Sequence, residues 1–203
     1  MAEYNTAKSA PLNRANAGPF DWSEVSNPDS YGDFGSIRII PTQGMDIRLE
    51  IEESTQRVVS VSITLNQSTL QLQAFAAPKS EGIWHEIRTQ IGQSIRSQGG
   101  LIEERVGSFG PELIAQLPNS TPEETTKRFA RFIGVDGPRW FLRGVIGGAA
   151  INDPAAANQI ESVFRSVSVD RGSEPVPPRD LLPLHIPSGV VAPPRHAIGG
   201  LLA

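Results

Sequence analysis

The stretch VSVSITLNQSTLQLQA, Val59 to Ala74, decides the architecture. Val59, Val61, Ile63 and Leu65 alternate with Ser60, Ser62 and Thr64, and after Asn66–Gln67–Ser68 the alternation resumes with Leu70, Leu72 and Ala74 against Gln71 and Gln73. Period two marks strands with one wet and one dry face. A parallel crossover takes about a dozen residues, so a link as short as NQS forces an antiparallel return. Upstream, Met45, Ile47, Leu49 and Ile51 alternate with Asp46, Arg48 and Glu50, and the EESTQ link is again short. An antiparallel meander is predicted, with Ile37–Ile40 as a further strand.

Downstream, Ile83, Ile87, Ile91 and Ile95 recur at helical spacing, with Ser80 as the expected cap and Gly99–Gly100 as the stop. This helix is expected to cover the meander. Short strands are predicted at Leu101–Val106 and Glu112–Leu117 around the GSFGP turn, followed by a loop at NSTPEETT. Phe129–Val135 and Arg139–Ala150 read as a long hairpin bent at Asp136–Gly137, a dipeptide suited to tight turns. Asp153 caps a second helix that starts at Pro154, with Ile160, Val163, Phe164 and Val167 as its apolar stripe. The predicted class is α+β, an antiparallel sheet that is curved and packed against two main helices, with irregular extensions at both ends. Residues 1–36 form an acidic leader, 37–171 a single domain, and 172–203 a tail holding seven of the 17 prolines. Within the extensions, PFDWSEV and DLLPLHIP carry enough apolar side chains to lie along the domain.

The composition excludes several classes of function. A formal net charge of −4 gives no overall reason to approach nucleic acid or an anionic membrane. The basic run Lys127, Arg128 and Arg131 follows Glu123 and Glu124 and has no interleaved aromatic residues, so nucleic acid is disfavoured. The chain has no cysteine, which excludes disulfides and thiolate chemistry and suits a reducing compartment. The N-terminus has no secretory h-region, and no window approaches the roughly 18 apolar residues of a spanning helix. A cytoplasmic protein without membrane insertion is expected. Three scattered histidines offer no metal-ligand spacing, no GxSxG or phosphate loop is present, and no cofactor is expected. The adjacent pairs Glu52–Glu53, Glu103–Glu104 and Glu123–Glu124 read as solvated charges.

The candidate surface lies in GVDGPRWFLRGVIGGA, Gly134 to Ala149. In an extended strand Arg139 and Arg143 share one face while Trp140, Leu142 and Ile146 take the other. A three-residue turn sets Arg131 opposite Arg143, and a two-residue turn sets Ala130 there instead. Like charges across a ladder repel unless a carboxylate or a bound anion lies between them. Both remain open. Trp140 reads as core, Gly144, Gly147 and Gly148 as a bulge beneath the second helix, and His85 as an exposed partner of Glu81. Arg139, Arg143, Arg131, Trp140 and Asp136 are the candidate binding residues.

At GIWHEIRTQIG, GVDGPRWFLRGVIGGAA and PPRDLLPLHIP the chain resembles an actinobacterial family of uncharacterised proteins, a domain of unknown function. The similarity runs from Gly18 through Pro187, DGPRWFLRG is its most specific element, and it implies no activity. More loosely, the hairpin followed by IESVFRSVSV is similar to the ending of PsbP-like α+β domains, which implies partner or ligand binding at the level of fold alone. Two functions follow from these readings. One is a non-enzymatic module that binds a protein partner or a small anionic ligand. The other is an enzyme with an arginine-lined pocket for a small anionic substrate, with Asp136, His85 or a glutamate moving the proton.

Overall fold

The computed structural model describes residues 6–118 and 126–187. The expected loop around Glu123 and Glu124 and the end of the tail beyond Pro187 lie outside the described residues.

Two sheets organise the molecule. The larger contains β4 (Met45–Glu52), β5 (Arg57–Leu65), β6 (Ser68–Ala76), β7 (Leu101–Gly107), β8 (Gly110–Leu117), β9 (Arg128–Asp136) and β10 (Trp140–Gly148). Its seven strands run in the order β4-β5-β6-β10-β9-β8-β7, every neighbouring pair antiparallel. It is therefore two meanders, β4–β6 and β7–β10, joined along β6 and β10. The smaller sheet gathers β1 (Phe20–Asp21), β2 (Gly32–Asp33), β3 (Ile37–Ile39) and β11 (Ser168–Val169) in the order β1-β11-β3-β2. The Ile37 strand thus belongs to this second sheet and not to the meander. Its ladder to β11 sets Ile37 opposite Val169, and both are fully enclosed.

Among the described residues three α-helices accompany the sheets: α1 (Arg14–Ala17), α2 (Trp84–Ser97) and α3 (Pro154–Ser166). The period-two pattern gives the large sheet a different core on each face. Val61, Ile63, Leu70, Leu72, Ile133, Val135, Trp140, Leu142 and Ile146 pack with Ile160, Val163 and Phe164 of α3 and with Ile37 and Ile39 of the small sheet. On the opposite face Trp84, Ile91 and Ile95 of α2 pack with Leu113, Ala115, Phe132 and Phe141. The expectation that the isoleucine helix covers the β4–β6 meander is corrected. The dry side of that meander is met by α3 and the small sheet, whereas α2 sits over β7, β8 and β9.

Glycine lets each helix approach. A Cβ on Gly134 would lie 2.5 Å from the Trp84 ring, and one on Gly144 would lie 2.9 Å from the Phe164 ring. These residues stand on adjacent strands, one beneath each helix, so each bulky aromatic settles on bare backbone. The expected bulge at Gly144–Gly148 is absent, since β10 pairs with β6 without a register shift from Trp140 to Gly148.

Both extensions dock on the domain. Asp21 caps a short 3-10 turn, Trp22–Glu24, and accepts the Trp140 indole N–H at 2.9 Å. Arg38 places its guanidinium 3.9 Å from the Trp22 ring centroid and pairs with Asp170 at 2.9 Å. At the other end of the chain, Leu181 bridges to Phe75 and Leu184 to Gly35, so this segment ties the edge of β6 to the smaller sheet. Leu182 is 2% exposed, and its N–H donates to Ala74 O at 2.9 Å.

Candidate functional site

The bend of the long hairpin sets the geometry of every candidate residue. Phe141 pairs with Asp136 and Gly137 N–H donates to Trp140 O at 2.8 Å, so the turn spans four residues, Gly137 to Trp140. Neither predicted register holds. Arg143 stands opposite Gly134, and Arg131 stands opposite Ile146. The cause is Asp136, whose carboxylate is committed elsewhere. Its Oδ1 accepts from Ile83 N–H at 2.9 Å and its Oδ2 from Ser9 N–H at 2.9 Å, while its own N–H donates to Ser9 O at 2.8 Å. Asp136 therefore caps α2 from across the chain, and the expected Ser80 cap is not used. Burial pushes the Asp136 carboxyl above the ordinary carboxylate range, against the backbone N–H groups and the Lys8 ammonium that pull it down. Lys8 donates to Gly137 O, and to Pro138 O at 2.9 Å. Asp136 is thus a hub joining leader, helix and hairpin.

Arg143 meets Gly134 instead of Arg131, an offset of three positions, and because that offset is odd it sends the two arginines of the hairpin to opposite faces. Arg131 lies on the α3 side, 4% exposed, with Nη2 2.8 Å from Glu112 Oε2 and 2.6 Å from Glu161 Oε1. Glu112 is itself 1% exposed and takes Arg105 on its other oxygen at 2.6 Å. Two carboxylates outweigh the pull of burial and hold the Arg131 guanidinium above its ordinary range. These charges lie beside a cleft of about 410 Å³ between the β7–β8 hairpin and the start of α3. Arg131 is neutralised from within and does not join Arg143.

Arg143 is differently placed. It lies on the α2 face, in the part of the sheet formed by β4, β5, β6 and β10, beside side chains that are polar. The register of β4 and β5 shifts between Glu50 and Ile51, leaving Val59 unpaired in a β-bulge. The freed Val59 carbonyl accepts Gln73 Nε2 at 3.1 Å, which turns Gln73 Oε1 toward Arg143, and Arg143 Nη2 donates to it. Alongside, Glu50 accepts from Ser60 Oγ at 2.8 Å, Ser62 Oγ at 2.6 Å and Gln71 Nε2 at 2.6 Å. The Phe75 ring centroid is 5.5 Å from the Arg143 guanidinium carbon. Among the described residues no carboxylate comes within ion-pair distance of Arg143, and its Nε is enclosed with no hydrogen-bond partner. Burial alone pushes its pKa down to about 10, so it remains charged at neutral pH.

The other candidates divide. Arg139 is exposed in the turn, and its carbonyl accepts from Ala77 N–H at 3.0 Å. Trp140 is fully enclosed on the α3 side, as core. His85 does not pair with Glu81; its Nδ1 faces Arg88 Nη2 at 3.1 Å. Gln73, Glu112 and Glu161 were not singled out from the sequence. Gln73 was legible as part of a wet strand face, but its bulge partner was not.

Among the described residues no helix is long and apolar enough to cross a membrane. No curated protein and no solved structure matches the chain. A family model does match, over residues 18–192, which is most of the chain and includes the hairpin, the Val59 bulge and the docked segments around Trp22 and Leu182. The chain accordingly belongs to the family described as Protein of unknown function (DUF3710).

Proposed function

We propose that this chain is a non-enzymatic recognition module that holds an acidic group of a protein partner, or a small anionic ligand, on Arg143. One observation carries the reading: a guanidinium on a polar sheet face with no carboxylate among the described residues to balance it. A charge in low dielectric without a counter-ion is costly, and an incoming anion offsets that cost more effectively than it would for a solvated arginine. Gln73, fixed by the bulge carbonyl, orients the guanidinium, and exposed Arg139 adds positive charge nearby along the chain. The alternative of an arginine-lined catalytic pocket loses its composition, because Arg131 is neutralised on the other face and Asp136 is occupied by backbone N–H groups. The resemblance to an actinobacterial family, the looser similarity to PsbP-like binding domains and the lack of cysteine support placing the module in an actinobacterial cytoplasm.

The test is a thermal-shift series with inorganic phosphate, citrate and acidic peptides, run on wild type, Arg143→Met and Gln73→Leu. A ligand at about 100 times its Kd adds roughly 2.7 kcal/mol of stability. The wild type should gain Tm with at least one anion and Arg143→Met should not. Equal shifts in both proteins, or none in either across the panel, would remove the basis for this reading.

A further inference from the structure

The outer edge of β7 carries a pattern that complements itself. Strand β7 reads LIEERVG and pairs with β8, and no described residue pairs with its other side. The backbone alternation there is fixed by two features. The two-residue turn Ser108–Phe109 makes Gly107 and Gly110 a bonded pair, and Pro111, which has no N–H, gives its carbonyl to Trp84 Nε1 at 2.7 Å instead of to β7. Odd-numbered residues therefore bond to β8. Ile102, Glu104 and Val106 direct their N–H and C=O groups outward.

The side chains follow suit. Val106 is 81% exposed and Leu101 64%, large apolar groups on an unpaired edge. Glu103 is exposed beside Arg105, which is shared with Glu112. Natural edges are usually blunted by a bulge, a proline or lysines. The opposite edge, β4, has its bulge at Glu50/Ile51, whereas β7 pairs regularly over all seven residues.

We infer that β7 is a homodimer edge, on which a second copy of this chain pairs antiparallel about Glu104. This register matches outward residue to outward residue: Ile102 meets the partner's Val106, and Glu104 meets the partner's Glu104. The intervening positions set Glu103 against the partner's Arg105, twice by symmetry. Sliding the copies one step either way puts Glu103 on Glu103 or Arg105 on Arg105, so charge selects the register. The like pair at the centre is met from both sides, since Arg88 Nε lies 3.5 Å from Glu104 Oε2 in each copy. The result is one continuous sheet through both molecules, with the Arg143 faces clear of the junction.

Analytical ultracentrifugation of the full chain over a range of about 1 to 500 µM should give a reversible dimer. Glu103→Arg and Arg105→Glu should each weaken it by at least tenfold, while a mixture of the two variants should recover a heterodimer because each supplies the charge the other needs. Amide exchange gives a check that requires no variant. Ile102, Glu104 and Val106 should be protected at high concentration and unprotected on dilution, with Glu103 and Arg105 protected throughout. A wild type that is monomeric over the whole range overturns the inference. So does concentration-independent protection of the three outward amides, which would mean that the chain's own segment covers the edge.

Discussion

Arg131 and Arg143 share a residue type and a hairpin, yet their environments predict opposite mutational signs. Truncating Arg131 to Met leaves the buried Glu112 with Arg105 alone, its Oε2 unpaired, and takes the guanidinium from Glu161, so the fold should lose about 3 kcal/mol in urea denaturation. Arg143→Met removes a charge that has no carboxylate beside it among the described residues and keeps about the volume of the side chain, so stability should be unchanged or higher by about 1 kcal/mol. Coincident losses for the two variants would contradict the assignment of one arginine as paired and the other as unpaired. The sequence carried half of this contrast. Alternation correctly placed Trp140, Leu142 and Ile146 on one side of the strand and Arg143 on the other. What it did not carry was the length of the turn. That depends on Asp136 being held by Ser9, a residue far away in the chain, and the resulting offset of three positions, being odd, moves Arg131 to the other face.

At the level of elements, the two long helices begin differently. Helix α3 has a local signal, Asp153 followed by Pro154, and Asp153 accepts Ala155 N–H at 2.8 Å as the sequence foretold. Helix α2 begins at a residue without a side-chain cap of its own and borrows Asp136 from the hairpin. Asp136→Ala should therefore cost about 2–4 kcal/mol, because it leaves the N–H groups of Ser9 and Ile83 without acceptors in a buried setting. Ser80→Ala should cost almost nothing. Paired chemical denaturations of the two variants decide between the local and the long-range cap, and comparable losses would favour the local one. A cap supplied from a distant turn leaves no trace in the residues next to the helix, whereas the apolar spacing of α2 was plain. That spacing identified Ile91 and Ile95 but missed Trp84, which the glycine at 134 admits to the core.

Across the whole molecule, the sequence specified two-faced strands without saying which helix meets which face. A helix stripe fits any dry surface of the right width, so only the connectivity and the docked extensions decide the matter. Those extensions are integral to the packing. Leu182→Ala should lower stability by about 2–5 kcal/mol, a core-sized penalty at a position that composition alone assigns to a proline-rich tail. A loss below about 0.5 kcal/mol by calorimetry would mean that the segment rests on the surface without supporting it. The junction of β6 with β10 has a further consequence, for the order of assembly. Every other adjacency in the large sheet joins strands that follow one another along the chain, whereas here Trp140 must find Ala76 and Gly148 must find Ser68. Closing so wide a loop is slow compared with forming a hairpin. Each meander can take shape by itself, and the zippering of one onto the other should set the folding rate, making the middle of the finished sheet the last of its ladders to form.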